Sequence, residues 1–226
     1  MKKLFLFLML IITLTGFSQK NESTKPDYSA IEKQIKDKNS EFYYPELLKK
    51  FNASDSTITL EQRRHLYYGY TFQKEYDPYS ESNQADSLRI MMKKGRHTEE
   101  DFQKISSLCD ASLKENPFDL RAFNYKLYAC QELRDEPEFI KNLTKMKIII
   151  DALVSSGDGL TKETAFYVIT TSHEYDLLNI IGLNFSGKQS LVKNHDYLEV
   201  TENAHGIKGM YFDVSPCLKY LSKTSK

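Results

Sequence analysis

His173-Glu174 has the opening of a zinc-protease helix, in which two histidines four residues apart hold the metal and the glutamate activates water. Leu177 stands where the second histidine is needed, so the motif fails. His173, His195 and His205 could instead converge with Glu174, Asp176 or Asp196, all metal-ligating types, but their spacing matches no recurring ligand pattern. No metal and no cofactor are expected. Glu174 and Asp176 suit the start of a short helix, where negative charge meets the positive end of the dipole. Gly157-Asp158-Gly159 resembles a calcium loop only superficially, because Leu160 and Lys162 cannot supply the alternating oxygen ligands. It reads as a tight turn. There is no Gly-x-Ser-x-Gly elbow, no phosphate-binding glycine loop before a helix, and no cysteine-protease signature around Cys217. No catalytic residue is assigned.

The densest aromatic cluster is Tyr67, Tyr68, Tyr70, Phe72, Tyr76 and Tyr79, with Gly69 inside it. One reading is a groove in which Tyr67, Tyr68, Tyr70, Tyr76 and Tyr79 grip a ligand or partner, since a tyrosine offers both a large ring and a polar hydroxyl. The other, favoured, reading is packing, with Gly69 letting a neighbouring helix approach. Cys109 and Cys130 flank the Asn116-Pro117 break almost symmetrically, so a disulfide is conceivable; two small buried hydrophobes are the favoured reading.

Export is expected. Lys2 and Lys3 precede the apolar run Leu4–Leu14, and Gly16 and Ser18 suit cleavage before Gln19. The run is too short to span a bilayer comfortably, which takes roughly 20 apolar residues, so no membrane span is expected after cleavage. Cleavage of residues 1–18 leaves 208 of 226 residues and removes two of the 31 basic groups, so 29 stand against 31 acidic. A nearly neutral surface gives no reason to expect nucleic acid. The localisation expected is periplasmic or extracellular, the partner an envelope or secreted protein, with the oligomeric state left open.

Polar residues 19–26 read as a leader. Helices are expected from Asp27, with Ile31 and Ile35 inward, from Pro45, and from the capping box Thr59-x-x-Gln62 to about Phe72. Further helices are expected over Ser82–Lys94, from Thr98, over Asp119–Leu133 and from Pro137. After Gly157–Gly159, β-branched and aromatic residues dominate: Ala165–Thr171, Lys188–Lys193, Asp196–Glu202 and Lys208–Val214 read as strands and His173–Leu183 as a helix. Pro216–Leu221 reads as a closing helical turn. The fold class is therefore α+β: a helical-hairpin region over 27–156, then a small, mainly antiparallel sheet with one inserted helix over 157–221, and a tail 222–226.

Residues 98–155, with Asn116-Pro117 at a helix junction and Ala122 and Ala129 as small packing residues, resemble tetratricopeptide-type hairpins, although the consensus Trp and Gly are missing. The mature chain as a whole resembles a family of secreted bacterial proteins catalogued as domain of unknown function 4919. Leu66-Tyr67-Tyr68-Gly69-Tyr70, Glu75-Tyr76-Asp77-Pro78-Tyr79 and Asn116-Pro117-Phe118-Asp119-Leu120 carry the likeness, with Gly157-Asp158-Gly159, Thr164-Ala165-Phe166, Glu174-Tyr175 and Tyr211-Phe212. The resemblance implies architecture and export, and brings no activity. The function expected is a protein- or ligand-binding scaffold of the cell envelope. The alternative is a hydrolase or metal-dependent enzyme led by His173, Glu174 and His195.

Overall fold

The computed structural model describes residues 24–224, so the expected signal peptide lies outside the described residues. Most helices begin where a side chain can satisfy the free amides of a first turn. Asp27 accepts the Ser29 and Ala30 amides at 3.0 Å each and starts α1, Tyr28–Lys36. Pro45 sits in the first turn of α2, Tyr44–Asn52. The capping box of Thr59 and Gln62 opens α3, Leu60–Gly69, which runs on as a short 3-10 turn, Tyr70–Phe72. After α4, Ala85–Met92, a second capping box joins Thr98 to Asp101 at the head of α5, Glu99–Glu115. Asp119 caps α6, Leu120–Leu133, and Asp135 caps α7, Glu136–Val154. Arg134 takes the left-handed conformation between them (φ 57°), which reverses the chain in two residues.

These helices pack in sequence, α4 on α5, α5 on α6 and α6 on α7, while α3 packs against α1, α2 and α7. Gly69 marks one close approach: a Cβ there would meet Ile35 at 3.2 Å and Tyr44 at 3.3 Å. The expectation that this glycine admits a neighbouring helix holds for both α1 and α2. Among the described residues no helix is long and apolar enough to cross a membrane.

The rest of the chain forms β1 (Phe166–Tyr167), α8 (Ser172–Ile180), β2 (Phe185–Val192), β3 (His195–Val200), β4 (Gly209–Asp213) and α9 (Ser215–Thr224). The strand order is β1-β4-β3-β2, antiparallel except for the parallel β1–β4 pair. The α+β class is as the patterning indicates. Several elements differ in extent: β2, expected from Lys188, begins at Phe185, and α4, expected over 82–94, spans Ala85–Met92. The strand expected over 165–171 pairs only at 166–167, because the chain turns into α8 once the Val168 amide has bonded to Asp213. The closing turn is a full helix, α9. The edge strand β2 is protected by a register irregularity at Gly187 (φ 93°) and by exposed Lys188, two devices that discourage edge-to-edge pairing.

The main core is continuous from Ile31 in α1 to Cys217 in α9 and draws on both sides of the Gly157–Gly159 turn. A smaller core of Leu88, Phe102, Ile105, Cys109 and Ala129 lies between α4, α5 and α6. The turn itself is tightly closed. The amides of Asp158 and Gly159 both donate to the Thr164 carbonyl, and a Cβ on Gly157 would stand 2.1 Å from that oxygen and 2.5 Å from the Ala165 carbonyl. Both obstacles are backbone, so Gly157→Ala is expected to cost at least about 2 kcal/mol. Thermal unfolding should register this as a drop in Tm of roughly 4–8 °C; an unchanged Tm would mean that the turn opens freely.

Candidate functional site

The three histidines do not meet. His173 is buried at the start of α8, with Nδ1 2.8 Å from the Tyr67 hydroxyl and Nε2 2.8 Å from the Phe118 carbonyl oxygen. A carbonyl only accepts, so Nε2 carries the proton and Nδ1 accepts from Tyr67. The same phenol oxygen accepts the Ile169 amide at 3.4 Å. Burial holds the His173 pKa down to about 4, so the ring is neutral. With both nitrogens engaged, it has neither a lone pair for a metal nor a proton to pass on. His195 lies 3.6 Å from Asp213, and His205 is exposed in the loop after β3. Among the described residues no three His, Cys, Asp or Glu side chains are grouped to hold a metal.

What does converge is a pair of carboxyl groups. Glu174 in α8 is fully buried and Asp196 in β3 is 5% exposed. Strand alternation is responsible: Asp196, Leu198 and Val200 share the inward row of β3, and the first of the three is a carboxylate. The Tyr175 hydroxyl donates to Gln189 at 2.5 Å, and the Gln189 amide donates to Asp196 at 2.8 Å. Both Glu174 carboxyl oxygens and Asp196 Oδ1 are closed to solvent and take no hydrogen bond from any other group, which leaves the two carboxyl groups to each other. Burial, and then the charge of Asp196, push the Glu174 pKa up to about 9. Asp196 is also raised by burial, but hydrogen bonds from Gln189 and Glu174 hold it back. Glu174 is therefore the carboxylic acid and Asp196 the carboxylate, with one proton between them, the pattern of two like groups that cannot both ionise. The pair can store and release one proton.

The surroundings of the pair are equally dry. Burial, and then Glu174, push the Cys217 thiol up to about 12. The Tyr79 phenol is raised by burial, then by Cys217, Asp196 and Glu174, which places this surface ring within the field of the acid pair. Asp176 is buried one turn from Glu174's neighbours and pairs with Arg121 at 3.3 Å; burial, opposed by that arginine, raises it to about 6. Cys109, Cys130 and Cys217 are free and buried, so Cys109 and Cys130 pack as small hydrophobes.

The aromatic segment divides in two. Tyr67, Tyr68 and Tyr76 are buried, and their hydroxyls are spent on His173, the Ala152 carbonyl (3.1 Å) and the Ile169 carbonyl (2.7 Å). Their faces are covered by one another and by neighbours: Tyr67 lies 5.0 Å from Tyr68, Tyr28 lies 5.9 Å from Tyr68, and Tyr220 lies 5.8 Å from Tyr76. These three do not present a ring to a ligand: α3 turns Tyr67 and Tyr68 inward, and the loop after the 3-10 turn folds Tyr76 onto the chain before α8. Tyr70 is partly exposed, with its ring edge-on to Phe118 (5.0 Å) and Tyr76 (5.8 Å), and Tyr79 is 42% exposed. Tyr70 borders a crevice of about 20 Å³, lined also by Asp77, Ser80, Asn116 and Thr170, with space for about one water.

Residues 29–223 match the family described as Domain of unknown function (DUF4919), and the chain belongs to that family. No curated protein and no solved structure matches it. Several of the stretches on which the resemblance rests meet in space: Tyr67 and Tyr70 lie against Phe118, the Tyr211 amide donates to the Gly159 carbonyl, and Phe166 lies beside Phe212. From the sequence, Glu174 reads as a metal ligand, a helix-start charge or a residue of an alternative enzyme site and Asp196 as a metal ligand, but not the two as a pair. Their pairing was legible at most in the inward parity of Asp196 along β3, and Gln189, which orients Asp196, carried no signal.

Proposed function

We propose that the chain is an exported binding module of the cell envelope, holding a partner protein or ligand at the rim formed by Tyr70 and Tyr79. The observation that supports this reading is the division within one aromatic segment: Tyr67, Tyr68 and Tyr76 are buried and locked as a base, while Tyr70 is partly exposed at a polar crevice and Tyr79 is exposed. Rings fixed from below lose little freedom on binding; the Tyr70 hydroxyl donates to the Glu75 carbonyl at 3.5 Å, and the Tyr79 hydroxyl has no protein partner among the described residues. Helices α5 to α7, read as repeat-type hairpins, give the rim a stiff support. Export rests on Lys2-Lys3, the Leu4–Leu14 run and the small residues Gly16 and Ser18.

The test uses a photoreactive residue at position 79 in the producing cells, followed by fractionation and mass spectrometry. The expected result is a processed N-terminus at Gln19 and one crosslinked partner in the envelope or medium fraction. Tyr79→Ala should weaken capture by about tenfold or more, as for an aromatic anchor, without lowering Tm. Capture unaffected by Tyr79→Ala and Tyr70→Ala together would overturn the rim reading, and an unprocessed cytoplasmic chain would overturn export.

A further inference from the structure

A second open site lies between α2, α5 and α7. The end of α2, the last turns of α5 and the middle of α7 enclose a groove of about 260 Å³, into which Lys114, Lys141 and Lys145 project with Asn52 and Asn142. Two carboxylates, Asp110 and Glu138, share the groove, and each already has a lysine: Asp110 bonds buried Lys126 at 2.7 Å, and Glu138 bonds Lys141 at 2.6 Å. Lys114 and Lys145 have no carboxylate partner among the described residues. Lys145 is half-buried, with its ammonium 5.7 Å over the Phe51 ring. Its pKa is lowered by burial and then by Lys141, the signature of a cation taken partly out of water beside another cation. A ring face offsets only part of that lost hydration.

We infer that this groove is a site for a small oxyanion of the phosphate or sulfate type. Two unpaired ammonium groups and a third whose carboxylate it can share supply point charges, which suit the spread charge of a tetrahedral oxyanion better than a planar carboxylate, the preferred partner of arginine forks. The exposed amide of Asn52 adds a neutral polar contact at the rim, while the Asn142 amide is spent on the Glu138 carbonyl at 2.8 Å. An anion here restores to Lys145 the stabilisation that burial has removed, so the two effects reinforce one another. This site is independent of the tyrosine rim, and either can fail without the other.

The experiment measures thermal stabilisation and equilibrium dialysis with inorganic phosphate and with sulfate at low ionic strength, against chloride at matched ionic strength. Phosphate and sulfate should raise Tm and chloride should not. Lys145→Gln and Lys114→Gln should each weaken binding by about tenfold, the scale of one lost charge-assisted hydrogen bond. Lys162→Gln, an exposed lysine on the Gly157–Thr164 turn, should leave it unchanged. Lys114 is itself exposed, so its variant separates lost binding from lost folding. Sedimentation with phosphatidylglycerol vesicles, reversed by free phosphate, would identify a lipid headgroup as the source of the anion; phosphate binding without sedimentation would identify a soluble phosphate or its ester. No shift with either anion, a shift equal to that of chloride, or full binding by both lysine variants would overturn the assignment.

Discussion

Raising the pH from about 7 to about 9 destabilises the protein on this account by an amount on the order of 2 kcal/mol, and Glu174→Gln removes most of that loss. The sign follows from the direction of the shift. The folded Glu174 pKa, about 9, lies above the ordinary 4.5. Its stabilising contribution is complete below the ordinary value and is lost as pH rises toward the folded one, because the unfolded chain gives up a proton that the folded chain must keep. Each pH unit inside that window costs at most about 1.4 kcal/mol, and sharing the proton with Asp196 makes the real slope shallower. Asp176, raised to about 6 from 3.8, adds a smaller loss of the same sign at lower pH. His173 acts in the opposite sense: its folded pKa of about 4 lies below 6.5, so its contribution is complete above 6.5 and is lost as pH falls toward 4. Carboxylates stabilised by partners, Asp101 among them at about 2, add a further loss on the acid side. The alkaline losses of Glu174 and Asp176 outweigh the gain from His173 above about pH 4.5, so the stability maximum falls well on the acid side of neutrality. Urea midpoints measured across this range for wild type and Glu174→Gln decide the matter. Glutamine keeps a donor for Asp196 and does not titrate, so its alkaline limb should be flat; parallel profiles would mean that Glu174 ionises freely in the fold.

The same pair shows where sequence pattern stops informing. Helices whose starts are set by local chemistry, such as those at Asp27, Thr59, Thr98, Asp119 and Pro137, were legible because the capping oxygen and the amides it satisfies lie within three residues. The strands were legible in parity for the same reason, Met210 and Phe212 turning inward as alternation requires. Glu174 and Asp196 are separated by a hairpin, and only the register of β2 on β3 brings Gln189 opposite Leu198 and beside Asp196. Nothing local distinguishes a carboxylate on the inward row from one on a solvated edge. The aromatic segment has the same ambiguity: 3.6-residue spacing says which rings share a face of α3, but not whether that face meets water or the 166–169 segment. The lysine groove was invisible because its lining residues come from α2, α5 and α7, and in each helix the lysines read as ordinary solvent-facing charge.

Tyr67→Phe is expected to cost about 2–3 kcal/mol and His173→Ala about 3–5 kcal/mol, with the double variant costing distinctly less than their sum. The reason lies in how the two residues are joined. Ile169 donates to the Tyr67 oxygen, Tyr67 donates to His173, and His173 donates to the Phe118 carbonyl, a line of bonds running from the chain before α8 through α3 to the turn between α5 and α6. Phe118 is placed for this by the Asn116 side chain, which accepts its amide at 3.2 Å. Removing the phenol oxygen orphans His173 Nδ1 and the Ile169 amide, both buried. Removing the imidazole orphans the Tyr67 hydroxyl and the Phe118 carbonyl and leaves a void. Once either residue is gone, part of the other's contribution is already lost, which produces a coupling of about 1–2 kcal/mol. Urea unfolding of the four proteins measures it. Strict additivity would show that the two side chains merely fill space; coupling would show that one hydrogen-bonded line ties α3 to α8 and to the turn between α5 and α6.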